Sequence, residues 1–235
     1  MYRLIRKFAK MILSANKTKV IKDYDLEYLL WITSLYLKIK YLPGNIAEVG
    51  VADGRNTVLF GRLIKLHNDQ SVRQYIGFDT FDGYKKKDLV RDGHLNKSGW
   101  KETSRDAVLK RCKDNDIEDT IELFEGDATE IVPKILKEHK GKKFQKGKAK
   151  FALVYIDCNA YFPAINSMES FLPHLVPGGF IVIDEKLQGS ESEAILDFAE
   201  KYSLKVKRLG SNHTPMCIEI PTSSKEDIIF TDEKL

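Results

Sequence analysis

The sequence predicts one doubly wound α/β domain: a mostly parallel seven-stranded sheet between helices, closed by a C-terminal antiparallel hairpin. Three observations carry that expectation. From residue 25 to residue 202, short apolar runs alternate with segments of helical apolar spacing, as buried parallel strands joined by crossover helices require. The last two apolar runs are separated by only a short turn, which selects antiparallel pairing. The 235 residues, 43% of them hydrophobic, suffice for one well-buried core and are too few for two ordinary domains.

The elements follow in order. Residues 25–41 read as a helix that stops at Pro43-Gly44, and 45–49 as a buried strand entering a glycine-containing turn. Helix 57–66 leads to strand 75–78, and helix 103–113 to strand 120–124. Helix 130–139 precedes the apolar run 151–156. A helix over 164–175 then returns the chain to strand 180–183. After helix 192–202, strands 205–209 and 216–220 form the closing hairpin. The expected organisation is a helical cap over 1–44, a main domain over 45–221 and a tail over 222–235.

Charge is uneven. Residues 1–22 hold seven Lys/Arg and no acid, and 137–150 hold seven Lys and one acid; the rest of the chain carries 24 basic and 33 acidic residues. Leu4, Ile5, Phe8, Met11 and Ile12 recur at helical spacing in the first segment, giving an amphipathic basic helix suited to an anionic membrane surface, to the domain itself or to a second copy of the chain. Arg6, Lys7 and Lys10 interrupt any signal-peptide core. The lysine-rich stretch lacks aromatic interleaving beyond Phe144, so nucleic acid is not an expected partner. Cys112, Cys158 and Cys217 are odd in number and widely spaced, which fits a reducing cytoplasm rather than a disulfide framework or zinc site.

In doubly wound sheets ligands sit beyond the carboxyl ends of the strands. Five successive expected strand ends carry an acid: Glu48 before Gly50 and Gly54, Asp79, Asp127, Asp157, and Asp184-Glu185. The two glycines let backbone pass close to a ligand, or let helix and strand pack closely. The GxGxxG spacing of a pyrophosphate site is absent, while Asp79, 25 residues after Gly54, suits two ribose hydroxyls. Acids would repel a pyrophosphate and favour a cationic nucleoside, which points to S-adenosylmethionine (SAM) with its sulfonium and ammonium. Glu48, Gly50, Gly54, Asp79 and Asp127 are therefore the expected donor-binding residues. Asp127 also suits a helix N-cap, and both roles stay open.

The Glu48–Gly54 turn, the run Phe78-Asp79-Thr80-Phe81-Asp82-Gly83, Thr103-Ser104, the run from Val154 to Tyr161 and the run from Leu175 to Glu185 together resemble the macrocin O-methyltransferase family. The resemblance covers roughly residues 45–202. It implies a Rossmann-like class I SAM-dependent methyltransferase that methylates a hydroxyl of a sugar, glycan or other small molecule. It also implies a divalent metal, usually Mg²⁺, held here by Asp157, Asp184 and Glu185. Hard carboxylate oxygens suit that ion, and Asp157 is the candidate base as well as a ligand. The sequence departs from the family pattern at Asn159 and Glu185, where Asp is usual. A SAM-binding protein with reduced catalysis, or nitrogen or carbon methylation on the same scaffold, is the alternative.

Several other residues have open roles. The segment 84–102 has the length and composition of a lid, with Trp100 and His94 in it. Tyr161 and Phe162 suit either an acceptor wall or core packing, and Asp82 a turn cap or an acceptor contact. His67, His139 and His174 are expected to be structural, and His213 lies in the closing hairpin.

Overall fold

The computed structural model describes residues 23–138, 150–184, 189–208 and 215–222. The basic segment 1–22, most of the lysine-rich stretch, His139, Glu185 and His213 lie outside the described residues, as does the tail from residue 223.

Helix α1 (Asp23–Ile39) is followed by β1 (Asn45–Val49), α2 (Arg55–Leu66), β2 (Tyr75–Asp79), a short α3 (Lys86–Arg91) and α4 (Arg105–Asp114). Then come β3 (Ile121–Glu125), α5 (Ala128–Glu138), β4 (Phe151–Ile156), α6 (Tyr161–Phe171), β5 (Leu175–Ile183), α7 (Ser190–Lys201), β6 (Val206–Arg208) and β7 (Met216–Glu219). The seven strands lie in the order β3-β2-β1-β4-β5-β7-β6. The first five are parallel, and β7 runs antiparallel to both β5 and β6. Strand order reverses at β1, between β2 and β4, and a crevice opens at such a point.

All six residues of β4 are buried, as expected for a strand covered on both faces. Side-chain alternation splits the core in two. Ala47, Val49, Ile76 and Phe78 face α5, α6 and α7, whereas Ile46, Tyr75 and Tyr155 face α1, α2 and α4. Helix α1 packs on the second face through Tyr28, Ile32, Leu35, Tyr36 and Ile39. The buried Arg73 guanidinium donates to the carbonyls of Ile39, Lys40 and Leu42, which ties the end of α1 to the start of β2.

The expected elements shift in three places. Helix α6 begins at Tyr161 and yields at Leu172-Pro173 to a 3₁₀ turn rather than running to residue 175. Strand β5 begins at Leu175, five residues before the expected start. Its Pro-Gly-Gly stretch is held by Gly178 N–H donating to the Ile220 carbonyl at 2.9 Å and Ile220 N–H donating to Gly179 at 2.8 Å. Helix α3 arises in the segment expected to be a loop. It has too few residues for hydrophobic periodicity, and long-range ion pairs hold it: Lys87 to Asp127 at 2.6 Å and Arg91 to Glu193 at 2.8 Å. Among the described residues no helix is long and apolar enough to cross a membrane.

Candidate active site

The carboxyl ends of β1 to β5 open into one cavity of about 340 Å³, within the range of small-molecule sites. Glu48, Asp79, Asp127, Asp157 and Asp184 all line it, as do Gly50 and Asp53. Five acids spread over 137 positions of sequence thus meet in one place, because each follows a parallel strand and parallel strands end on one side.

Gly50 has φ +96°, and a Cβ there would stand 2.0 Å from the Asp157 backbone oxygen. The β1 and β4 ends touch here, with Asp157 N–H donating to the Val49 carbonyl at 2.8 Å. Gly54, at φ +82°, is the N-cap of α2, and a Cβ there would press on Val108 at 2.6 Å. Both glycines therefore serve close packing; Gly50 also lines the cavity, and Gly54 does not.

Glu48 is 1% exposed. Asn56 Nδ2 donates to its Oε1 at 2.7 Å, the Tyr75 hydroxyl donates to Oε2, and the Tyr28 hydroxyl donates to Asn56 Oδ1 at 2.6 Å. Burial raises its pKa well above the ordinary 4.5, against the lowering by the Tyr75 and Asn56 hydrogen bonds; the Asp157 and Asp79 charges raise it further. Between the ordinary value and the raised one the folded protein holds a proton that the unfolded chain has released, so this group's contribution to stability falls as pH rises. Glu48→Gln keeps the size and one acceptor oxygen of the side chain and removes the titration. Its melting temperature relative to wild type is expected to climb between pH 5 and pH 8 in thermal scans; a constant difference would show an ionised Glu48.

Asp79 accepts the Ala52 N–H at Oδ2, 2.8 Å, and the Phe81 N–H at Oδ1, 2.7 Å. These bonds orient the carboxylate, and each oxygen retains a second lone pair for a ribose hydroxyl. Asp127 combines its two open roles. Its Oδ1 accepts the Thr129 N–H and hydroxyl at 2.9 and 2.8 Å at the start of α5, and Lys87 pairs with Oδ2. Burial alone would raise its pKa, but the Lys87 and Thr129 hydrogen bonds hold it below the usual range.

Asp157 and Asp184 line the cavity at the ends of β4 and β5. Asp184 Oδ1 accepts the Tyr155 hydroxyl, and burial raises the Tyr155 pKa further above its ordinary value, followed by the Asp184 charge. Two carboxylates at neighbouring strand ends are a donor set suited to Mg²⁺. Among the described residues no third His, Cys, Asp or Glu joins them, Glu185 being outside. Asn159 has φ +56°, a left-handed conformation that Asn and Asp tolerate better than other side chains with a Cβ.

Residues that sequence reasoning did not single out complete the site. Arg55 lines the cavity with its guanidinium 3.9 Å from the Tyr28 ring centre. The buried Glu191 accepts the Cys158 and Asn159 N–H groups, the latter at 2.6 Å, and so ties the loop after β4 to α7. Buried Asp92 accepts the Tyr161 N–H at 2.9 Å. From the 84–102 segment, Tyr84, Lys85, Asp88 and Trp100 line the cavity, and the exposed His94 does not. Tyr161 lies under the Arg91 guanidinium at 3.7 Å, and neither it nor Phe162 reaches the lining. Asp82 is exposed, with Lys85 3.7 Å away, and His67 stacks on Tyr36.

Sheet order, reversal point and acid-lined crevice define a class I SAM-dependent methyltransferase. Residues 47–185 match the family model described as a methyltransferase domain, and the chain belongs to that family. A curated relative, the 8-demethyl-8-(2,3-dimethoxy-alpha-L-rhamnosyl)-tetracenomycin-C 4'-O-methyltransferase of Streptomyces olivaceus, is 20% identical over 172 residues, 69% of this chain and 60% of that protein. The chain thus spans three fifths of that relative. Among solved structures, the calicheamicin methyltransferase CalS11 superposes with a TM-score of 0.68 at 23% identity, covering 89% of this chain and 85% of that one. The O-methyltransferase NovP gives 0.66 at 16% identity, covering 83% and 80%. TomG of Streptomyces achromogenes, solved with SAM, gives 0.56 at 12% identity, covering 87% and 83%. At these identities the structural likeness concerns the fold.

Proposed function

We propose that this enzyme transfers the SAM methyl group to a hydroxyl of a sugar or glycosylated small molecule, as in the macrocin O-methyltransferase branch of the family. The observation that carries the reading is the convergence of five strand-end acids on one cavity, with Asp157 and Asp184 on the side of the reversal point away from Asp79. The curated relative supports the acceptor class, since its name places the methyl group on a rhamnosyl unit.

In this reading Asp79 holds the ribose, Gly50 lets the donor lie against the β1 end, and the acceptor rather than the donor meets the Asp157 carboxylate. Glu48 acts from beneath, shaping the floor through Asn56 and Tyr28. Gly54 sets the turn that opens α2, and Asp127 borders the base. An alcohol is a weak nucleophile at neutral pH, so a carboxylate within reach must accept its proton as the oxygen attacks the sulfonium methyl. Asp157 takes that proton, and Asp184, oriented by Tyr155, holds the acceptor side. Asp157, Asp184 and Glu185 would hold Mg²⁺, which lowers the pKa of a bound hydroxyl and fixes its direction. Trp100 and Tyr84 offer flat apolar surfaces to a sugar ring.

The test is turnover of labelled SAM against nucleotide-linked deoxysugars and glycosylated aromatics. Transfer to a sugar hydroxyl, at least ten-fold slower after chelation and restored by Mg²⁺, is the expected result. Transfer only to nitrogen or carbon would overturn the acceptor assignment, and turnover indifferent to chelation would overturn the metal.

A further inference from the structure

Helix α1 is apolar on two sides. Its inner side is buried in the core through Tyr28, Ile32, Leu35 and Ile39. On the opposite face Leu26, Leu30 and Leu37, at spacings of four and seven residues, are 45%, 62% and 49% exposed. The stripe runs on past the end of the helix to Tyr41, 89% exposed, and sideways into a groove of about 480 Å³ between α1 and α2, lined by Leu29, Leu59, Leu63 and Leu66. None of these leucines lines the active-site cavity. A helix that is hydrophobic all round is normally covered, and a contiguous exposed apolar patch marks an interaction surface.

The charge around the stripe selects what covers it. Lys38 and Lys40 flank its C-terminal end, with the Lys40 ammonium 5.7 Å from the Tyr41 ring centre, and Arg62 and Lys65 border the groove. Glu27 is half-buried, and Asp119 is paired with Lys65 at 2.7 Å. The chain enters α1 directly from the basic residues 1–22, and residues 1–41 together hold nine Lys/Arg and three acids. Leucines ringed by cations are complementary to anionic lipid headgroups lying over acyl chains. A second copy of the chain, or residues 1–22 folded back on α1, would set cations against cations. Nucleic acid would meet the cations, but leucines give its bases no stacking surface.

We propose that the outer face of α1 docks this protein on an anionic membrane surface: Leu26, Leu30 and Leu37 enter the acyl boundary, while Lys38, Lys40 and the basic residues before Asp23 meet the headgroup charges. Tyr28, on the inner side of the same helix, lines the active-site cavity, so docking leaves that cavity about one helix diameter, roughly 10 Å, from the surface. Docking of this kind does not depend on which ligand the cavity binds.

Co-sedimentation of the full chain with vesicles of phosphatidylcholine, and with vesicles in which about a third of the lipid is phosphatidylglycerol, tests this. Wild type is expected to bind the anionic vesicles about ten-fold or more tighter than the neutral ones, and to be released as salt rises. Leu30→Gln combined with Leu37→Gln keeps helix propensity and is expected to weaken that binding about ten-fold or more. Its melting temperature should stay within about 3 °C of wild type, because both side chains are already exposed. Lys38→Glu combined with Lys40→Glu is expected to weaken anionic-vesicle binding about ten-fold or more and binding to neutral vesicles not at all. No binding by wild type, equal binding to both kinds of vesicle, or a leucine variant that binds like wild type would overturn the proposal. So would a lipid-free wild-type dimer that the leucine substitutions split in analytical ultracentrifugation, since a second copy then covers the stripe. A larger fall in melting temperature of the leucine variant would place the stripe under the chain's own residues and overturn it as well.

Discussion

Asp157→Ala is expected to lower methyl transfer by roughly 10²- to 10⁴-fold, the usual contribution of a positioned general base, and to change S-adenosyl-L-homocysteine affinity by less than about three-fold. The two effects separate because the carboxylate lines the cavity at the end of β4, whereas the backbone of Asp157 makes the contacts to β1: its N–H donates to Val49, and its carbonyl lies against Gly50. Alanine keeps those backbone contacts. Asp157→Asn keeps the shape and removes the base, so it should fall nearly as far. Steady-state turnover with the acceptor found by screening, beside titration of the product nucleoside, measures both quantities. Turnover within three-fold of wild type in both variants would remove Asp157 from the chemistry.

Gly50→Ala carries the largest expected effect on stability, about 3–5 kcal/mol of destabilisation. Two costs combine: a Cβ at φ +96°, and a Cβ 2.0 Å from a backbone oxygen that belongs to the central strand pair and has little room to retreat. For a chain of this size the melting temperature should fall by roughly 10 °C, with loss of donor binding because the β1 and β4 ends are forced apart. Gly54→Ala should cost less, since its nearest obstacle is the Val108 side chain rather than backbone. Gly93→Ala, where a Cβ meets nothing within 4 Å, should lie within about 0.5 kcal/mol of wild type. If Gly50→Ala melts like Gly93→Ala, the close approach of the two strands is wrong.

The legible part of this protein is the part with a local cause. Buried strands announce themselves as unbroken apolar runs such as Phe151–Ile156, and the acids that follow them stand out because an acid is out of place beside such a run. The hairpin was legible for the same reason, from the short spacing of its two strands. Less local features escaped. Leu175, expected to end a helix, and 176–179, expected to lie between elements, belong to β5 because Phe151 pairs with Leu175 and Ile220, more than forty residues away, with Gly178 and Gly179. Tyr75 and Tyr155 look like ordinary strand residues, and only the fold turns their hydroxyls toward Glu48 and Asp184.

Glu48 and Asp127 show the same limit within the site. Their sequence positions mark them as ligand-facing, but in the folded chain Asn56, Tyr75, Thr129 and Lys87 already occupy their oxygens. Asp88 and Glu191 are the converse: no motif marks either. They matter because α3 and α7 carry them to the cavity wall and to the loop after β4.

The sequence by itself determined the class of fold, the edge of the sheet where the cavity opens, and the acidic character there, because apolar periodicity and the residue following each strand are short-range properties of the chain. Which of those charges remain open to a ligand was decided only by the tertiary structure. A carboxylate's availability depends on what donors stand within 3 Å of it, and those donors come from segments that meet only when the chain folds.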